Sequence, residues 1–285
     1  LVIKSLYNES LALPLELVNG YNLPKYVDEN TLVLLSSYSG STEEPLFCGK
    51  EAVSRNAKIA GVCSGSRLGE FLNARKLPGY IFDAINNPAK QPRMGQGYMI
   101  FGHVGILRNL GILSLSDTEV TSAITSVEQQ TGEIEKKAKQ VAQQFVEKIP
   151  VIVSAEHLMA NAHILRNQTN ETAKNFATYS IIPELNHHLM EGLVHPESRI
   201  LTFLFLKSGL YSPIIKKRFD LTKEVIGKNN LKVLELDVKG ETKLAQMLYA
   251  LSFGGYVTFY LAILYKQDPS LIPWVDFFKE KLAKS

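Results

Sequence analysis

The order of apolar and polar segments restricts this chain to one kind of architecture. Residues 31–35 form a continuous apolar run, which is typical of a strand buried on both faces. A helix is predicted to follow up to residue 56, then a strand over residues 58–63 and a helix over residues 67–75. Parallel strands need crossover connections, which are usually helices. The pattern therefore predicts an α/β fold with a parallel sheet.

The same order of elements returns later in the chain. Predicted strands cover residues 149–153, 199–206 and 231–238, and predicted helices cover residues 156–176, 243–265 and 273–281. An apolar helical segment over residues 98–113 and a polar stretch ending near residue 130 separate the two halves. We therefore predict two doubly wound, parallel-sheet halves, residues 1–130 and 131–285.

Composition excludes several classes of partner. The formal net charge is +3, from 31 basic and 28 acidic side chains, without the basic stripe of a nucleic-acid-binding protein. The most apolar stretch, residues 248–265, contains serine, glycine and threonine, which favours a buried core helix over a membrane span. Two cysteines are too few for a disulfide framework, so we expect a reducing cytoplasm.

Residues 37–42, here called the hydroxyl loop, join the first predicted strand to its helix. The loop contains four aliphatic hydroxyl side chains and a glycine that we consider candidate ligands of an anion: Ser37, Ser39, Gly40, Ser41 and Thr42. Unpaired N–H groups at a helix N-terminus carry partial positive charge and bind anions such as phosphate. A plain turn with a Ser or Thr cap is the alternative. The loop lacks the lysine of a nucleotide P-loop.

The hydroxyl loop and the Glu43-Glu44 pair after it resemble the phosphate loop of sugar isomerase (SIS) domains. The resemblance is strongest to the bifunctional phosphoglucose/phosphomannose isomerases of archaea and some bacteria, although Ser41 stands where Asn is usual. Three further segments are similar to that family in order: Asn170-Glu171-Thr172-Ala173-Lys174, Pro183-Glu184-Leu185-Asn186-His187-His188 and Phe278-Lys279-Glu280-Lys281-Leu282. In the first of them Thr172 stands where the family has Asn. The resemblance spans essentially the whole chain.

This resemblance implies two SIS domains in each subunit of a homodimer, with the active site at the interface. It implies that the hydroxyl loop holds the phosphate of a small sugar and that Glu171 is the catalytic base. It also implies that His187 reaches over from the partner subunit to open the sugar ring. Lys279 then assists at the ring oxygen, and Arg93 stabilises the enediolate. Neither a metal nor a redox cofactor is implied.

The chemistry of aldose–ketose isomerisation suits these residue types. One carboxylate can remove a proton from one carbon and return it to the next. A guanidinium that keeps its charge stabilises the anionic enediolate, and a histidine with a pKa near neutrality suits ring opening.

Each of these residues also has a structural interpretation. Glu171 and Lys174 have the spacing of an ordinary surface pair on a helix. Lys279 can be an ordinary lysine of a terminal helix, and His188 can be a structural histidine. Glu184 and His187 have a metal-ligand spacing, but the second such pair of a di-metal site is missing, so we predict no metal.

Two departures from the family pattern stand out. The family has a Gly-Gly-Ser loop that also contacts the phosphate, and we expect that the first half lacks this loop and its strand, since Leu1 begins just after it. The bifunctional enzymes have a threonine, linked to the use of mannose, where Ile272 precedes Pro273. The sequence therefore leaves activity on mannose 6-phosphate open.

Three functions remain. The leading hypothesis is an isomerase of glucose 6-phosphate and fructose 6-phosphate. The alternatives are a non-catalytic sugar-phosphate sensor and an isomerase of another phosphosugar. A sensor does not need Glu171, His187 and Lys279 together, so their joint presence favours catalysis.

Overall fold

A computed structural model describes residues 1–195, 200–282 and 284. After a short helix α1 (Val2–Tyr7), the chain forms two compact units, which hold residues Tyr7–Leu115 and Ser116–Ser285 apart from a few residues at the amino terminus.

The first unit is a parallel three-stranded sheet of order β1-β2-β3 with its helices. Its elements are β1 (Leu32–Ser36), α2 (Glu43–Ser54), β2 (Lys58–Cys63), α3 (Ser66–Ala74), β3 (Gly79–Ile81) and α4 (Gln96–Asn109). Leu35 of β1, Ile59 of β2 and Leu72 of α3 belong to one buried apolar cluster. The predicted strand–helix–strand–helix order is therefore confirmed.

The second unit is a parallel four-stranded sheet of order β5-β4-β6-β7. Its elements are α5 (Asp117–Phe145), β4 (Ile149–Ala155), α6 (Met159–Ala173), β5 (Thr178–Ile182), β6 (Leu201–Ser208), α7 (Pro213–Lys228), β7 (Lys232–Val238), α8 (Lys243–Leu264) and α9 (Pro273–Leu282). The start predicted for β6, Arg199, lies outside the described residues.

The division between the units differs from the predicted one. The boundary placed near residue 130 falls inside α5, and the structure divides the chain between Leu115 and Ser116. A capping box begins α5, with Glu119 N–H donating to Ser116 Oγ at 3.2 Å and Ser116 N–H donating to Glu119 Oε2 at 2.8 Å. The polar stretch that suggested a boundary is the exposed part of one long helix.

Helix α8 is the central helix of the second unit. It is long and apolar enough to cross a membrane by length and composition, but half of its most apolar window is buried in the protein. It contacts both α5 and α6, and Phe253, Val257 and Leu261 are fully buried. The expected buried core helix is therefore present.

Two strands were not predicted, and both lie at the edge of a sheet. β3 has three residues, all exposed, and β5 buries only Ile182. β1 and β7 are edge strands as well, but β3 is short and exposed and β5 begins with polar residues, so neither of the two missed strands contains an apolar run that marks it.

We expect Phe253→Ala to lower the free energy of unfolding by about 3–5 kcal/mol, because it leaves a cavity in the core against α8. Phe259→Ala on the same helix is the matched control: the side chain is 41% exposed, and the loss stays below about 1 kcal/mol. Urea unfolding followed by circular dichroism measures both. Equal losses would contradict the burial of one face of α8.

Candidate functional site

The hydroxyl loop lies at the carboxyl end of β1 and is braced from within. Ser37 is buried, and its hydroxyl donates to Thr42 Oγ1 at 2.8 Å and accepts from Gly40 N–H at 3.0 Å. Ser39 and Ser41 are exposed, with hydroxyl oxygens 2.8 Å apart. The loop therefore presents the hydroxyls of Ser39, Ser41 and Thr42 to solvent, while Ser37 holds its shape.

A glycine is required at position 40 because the next loop packs directly against it. Gly40 has φ +72°, and a Cβ there would lie 1.9 Å from the carbonyl oxygen of Gly65. Ser64 N–H donates to the Tyr38 carbonyl at 2.8 Å, and Leu68 N–H donates to the Gly40 carbonyl at 2.9 Å. The turn after β2 therefore holds the hydroxyl loop in place.

The loop can bind an anion through neutral donors. Thr42 is the N-cap of α2, but its side chain does not cap the helix. The Arg67 guanidinium donates to the Ser41 carbonyl and brings one positive charge beside the loop. Glu43 and Glu44 in the first turn of α2 oppose an anion electrostatically. The balance suits a phosphate that binds and is released in each turnover.

Arg93 is connected to the hydroxyl loop by a chain of hydrogen bonds. Its side chain is 6% exposed, and Nη1 donates to Gln91 Oε1 at 3.0 Å. Asn87 Nδ2 donates to the Gln91 carbonyl at 2.8 Å and to the Tyr38 hydroxyl oxygen at 2.6 Å. The first unit therefore brings Arg93 and the hydroxyl loop into one network.

Two residues that support this network were not found from the sequence. Asn87 is 3% exposed and joins the two segments. Gly95 leaves room for the ring of Tyr38, since a Cβ there would lie 2.1 Å from Cε2. Neither residue belongs to a periodic pattern, so only the packing identifies them.

Glu171 lies near the carboxyl end of α6 and lines a cavity of about 790 Å³, here called the Glu171 cavity. The walls of the cavity include Ile149, Glu171, Ile200, Ile272, Trp274 and Val275. A cavity of this volume is within the range that binds small molecules. The structure thus places the predicted base in the same cavity as the beginning of α9, the helix that carries Lys279.

The Lys174 side chain ties the two walls of this cavity together. Lys174 is the left-handed C-cap of α6, with φ +53°. Its Nζ donates to the carbonyl oxygen of Thr172 at 3.0 Å and also to that of Asp268, which precedes α9. Lys174 therefore has a role that its spacing from Glu171 does not predict.

Lys279 is exposed on α9 and does not itself line the cavity. Val275, one turn earlier, does line it. Residues four apart lie on one face of a helix, about 6 Å apart along its axis. Lys279 therefore lies on the cavity face of α9, one turn beyond the wall.

The adjacent histidines have different surroundings. His188 Nε2 lies 2.8 Å from Glu184 Oε2. His187 is exposed, and its ring forms no hydrogen bond with the part of the chain that the structure describes. Glu184 thus pairs with His188 rather than with His187. Among the described residues, no three His, Cys, Asp or Glu side chains are grouped to hold a metal ion.

Glu171 and His187 lie at opposite ends of the strands of the second sheet. The Glu171 cavity includes Ile149, the first residue of β4. β5 runs parallel to β4, with Ile182 beside Ala155 at their carboxyl ends, and His187 follows that end of β5. β4 has seven residues and rises about 3.3 Å per residue, so its two ends are roughly 20 Å apart. One chain therefore does not bring these two side chains together.

The second unit contains a similar strand–helix–strand connection, but a carboxylate of the protein already occupies the N-terminus of its helix. β6 leads through α7 to its parallel neighbour β7, just as β1 leads through α2 to β2. Ser212, the N-cap of α7, donates to the Glu156 carboxylate from Oγ at 2.7 Å and from N–H at 3.2 Å. A phosphate at this helix end would meet the negative charge of Glu156. The hydroxyl loop is therefore the better phosphate site.

A second cavity, of about 740 Å³, lies in the first unit. Its lining is mostly aromatic and glycine residues, including Tyr80, Tyr98 and Phe101, and contains no carboxylate, lysine, arginine or histidine. It therefore offers no base for proton transfer, unlike the Glu171 cavity.

The chain is similar to known proteins over nearly its whole length. The profile described as bacterial phospho-glucose isomerase C-terminal SIS domain matches residues 134–282. The bifunctional phosphoglucose/phosphomannose isomerase of Caldicellulosiruptor bescii is 30% identical, over 95% of this chain and 82% of the relative. The protein of the same name from Aquifex aeolicus is 29% identical, over 99% of this chain and 85% of the relative.

Solved structures share the fold. A glucose-6-phosphate isomerase like protein from Thermus thermophilus superposes with a TM-score of 0.59, at 16% identity, over 94% of this chain and 92% of that chain. At this identity the similarity bears on the fold alone.

We expect Gly40→Ala to weaken the binding of inorganic phosphate at least about 10-fold, because the new Cβ forces the hydroxyl loop away from Gly65. Gly20→Ala, whose Cβ would meet nothing within 4 Å, is the matched control. Calorimetric titration measures the affinity, and circular dichroism checks that both variants are folded. Unchanged affinity in a folded Gly40→Ala protein would remove the hydroxyl loop as the phosphate site.

Proposed function

The chain belongs to the family of bifunctional phosphoglucose/phosphomannose isomerases, and we propose that Glu171 is its catalytic base. The protein is a sugar-phosphate isomerase that interconverts glucose 6-phosphate, mannose 6-phosphate and fructose 6-phosphate. The observation that carries the role of Glu171 is its position on the wall of a cavity of about 790 Å³ that the helix of Lys279 also lines.

The phosphate group binds to the hydroxyl loop. The exposed hydroxyls of Ser39, Ser41 and Thr42 and the free N–H groups of α2 donate to its oxygens. Ser37 and Gly40 hold the loop in the shape that this requires. Neutral donors bind a phosphate without the strong attraction of several fixed charges, so the product can leave.

Proton transfer proceeds through an enediolate. The Glu171 carboxylate removes the proton from C2 of the open aldose, and the C–H electron pair forms the C1–C2 double bond while the carbonyl pair moves to O1. The Arg93 guanidinium, which cannot lose its proton at neutral pH, stabilises this negative charge. A proton moves from O2 to O1, Glu171 returns its proton to C1, and C2 becomes the carbonyl of the ketose. In this proposal the step needs no metal or redox cofactor.

Ring opening requires a second group at the sugar, and we assign it to His187 of the partner subunit. Within one chain His187 and Glu171 lie at opposite ends of the strands, so a histidine that acts on the same sugar as Glu171 comes from another copy of the chain. The assignment therefore entails a homodimer with the active site at the interface. Lys279, on the cavity face of α9, assists at the ring oxygen.

Ile272 lines the Glu171 cavity, at the position linked to the use of mannose. An isoleucine there presents only apolar atoms, so it lacks the hydroxyl that a threonine would offer to the sugar. Activity on mannose 6-phosphate is therefore expected to be lower than activity on glucose 6-phosphate.

The reaction is proposed to take place in a reducing cytoplasm. Cys48 and Cys63 are free and buried in the structure. Burial raises the pKa of both thiols, which keeps them protonated and unreactive.

We expect Glu171→Gln to lower kcat for fructose 6-phosphate at least about 1,000-fold, because the amide cannot accept the proton. Binding of the sugar phosphate changes little, since the hydroxyl loop is intact. The assays offer fructose 6-phosphate, mannose 6-phosphate and arabinose 5-phosphate with a chelator present. Glu147→Gln alters another carboxylate of the same cavity, and a loss of turnover in that variant alone would transfer the role of base to Glu147.

The outcomes of this experiment separate the alternative functions. Binding without turnover in the unaltered protein would indicate a sensor. Turnover of arabinose 5-phosphate alone would indicate an isomerase of another phosphosugar. Loss of turnover under chelation would contradict the metal-free step.

We expect a mixture of Glu171→Gln and His187→Ala chains to recover activity that neither variant has alone. If each site combines Glu171 of one chain with the partner's His187, the mixed dimer has one intact site, and random mixing restores about a quarter of full activity. The chains are dissociated, mixed, reassembled and assayed with fructose 6-phosphate. No recovery from dimers shown to be mixed would contradict a shared site.

A further inference from the structure

Trp274 is the more exposed of the two aromatic side chains that line the Glu171 cavity, and the proposed proton transfer does not use it. It is the only tryptophan of the chain, and it is 81% exposed. Burying the apolar surface of an indole is strongly favourable. An exposed indole on the wall of a ligand cavity therefore offers a face that a ligand can cover.

The turn that leads into α9, the helix of Trp274, is held by hydrogen bonds. The Asp268 carboxylate accepts from the Ser270 hydroxyl at 2.5 Å and from Ser270 N–H at 2.7 Å. Lys174 Nζ donates to the Asp268 carbonyl, which connects this turn to the end of α6. The hydrogen bonds from Ser270 also lower the pKa of the Asp268 carboxyl, because they stabilise its ionised form. Glu171 and Trp274 thus lie on two elements that Lys174 fixes to each other.

The cavity combines the two kinds of surface that a sugar needs. The hydroxyl groups of a hexose require polar partners, while its C–H groups form apolar patches that pack on an aromatic face. Glu171 lies on one wall and the indole on another. Ile272 and Val275 add an apolar rim beside the indole.

We propose that the Trp274 indole is the surface on which the carbon chain of the hexose phosphate packs while Glu171 transfers the proton. This inference rests on the proposed function, since it assigns the sugar to the Glu171 cavity. It makes Trp274 a residue that determines affinity and the choice of sugar rather than a residue that transfers protons.

Fluorescence tests the contact directly, because all tryptophan emission of this protein comes from Trp274. Fructose 6-phosphate is expected to change the intensity and wavelength of that emission in the Glu171→Gln protein, where no turnover interferes. Inorganic phosphate, which fills only the hydroxyl loop, is expected to leave the emission unchanged. A saturating sugar phosphate that leaves the emission unchanged would overturn the proposal.

Kinetics tests the consequence. Trp274→Ala is expected to raise KM for fructose 6-phosphate about 10-fold with kcat within about 2-fold, since the lost contact is made equally by substrate and transition state. Trp274→Phe restores most of the affinity. Phe277→Ala is the matched control, because Phe277 is 55% exposed on the same helix, does not line the cavity and lies on the side of α9 away from Val275. Equal KM values for Trp274→Ala and the unaltered protein would overturn the proposal.

The failure of this inference differs from the failure of the proposed function. If Glu171→Gln stays active while Trp274→Ala raises KM, the base is wrong and the sugar contact stands. If Glu171→Gln is inactive while Trp274→Ala has normal KM, the contact alone fails. Size-exclusion chromatography completes the test: dimers that dissociate in Trp274→Ala with unchanged KM would show that the indole binds a second copy, and would overturn the proposal.

Discussion

The common direction of the strands is the constraint on which the rest of this structure depends. In a parallel sheet the carboxyl ends of all strands lie on one side and the amino ends of all strands lie on the other. The hydroxyl loop follows β1 and the turn of His187 follows β5, so each lies at the carboxyl ends of the strands of its sheet. Helix α6 runs back from the carboxyl ends of the strands, so Glu171, near the end of α6, lies beside their amino ends. The separation of Glu171 from His187 is therefore a consequence of topology, and it makes a second copy of the chain necessary for the proposed chemistry.

A phosphate site needs open donors and a loop that keeps them in place. The first unit meets both needs, since the turn around Gly65 packs against Gly40 and leaves three hydroxyls exposed. In the second unit, Glu156 accepts hydrogen bonds from Ser212 at the equivalent helix end. One internal carboxylate thus distinguishes two connections of the same type. Similar local structure does not imply similar function, because the charge that already occupies a site decides what else can bind there.

The Glu171 cavity depends on a contact between segments distant in the chain. The spacing of Lys174 from Glu171 suggests only a surface pair, but its Nζ donates to the backbone of Asp268. That contact places the start of α9 beside the end of α6. A lysine has three donors and a long flexible stem, so it can bridge two backbone segments that a shorter side chain cannot. The same contact gives Trp274 and Lys279 their relation to Glu171.

The sequence by itself determined the more apolar strands, because apolar segments are costly to leave exposed; it identified β1, β2, β4, β6 and β7, although β1 and β7 are edge strands that are only partly buried. It also determined the hydroxyl loop and the segment of Glu171, because turn residues and motifs are local. Only the tertiary structure decided that α5 is one continuous helix, that β3 and β5 complete the sheet edges, and that Asn87 links Arg93 to Tyr38. The tertiary structure alone placed Glu171 and His187 at opposite ends of the strands and Trp274 on the wall of the Glu171 cavity. Local composition encodes burial and turns, but the direction and neighbours of a strand depend on contacts between residues far apart in the chain.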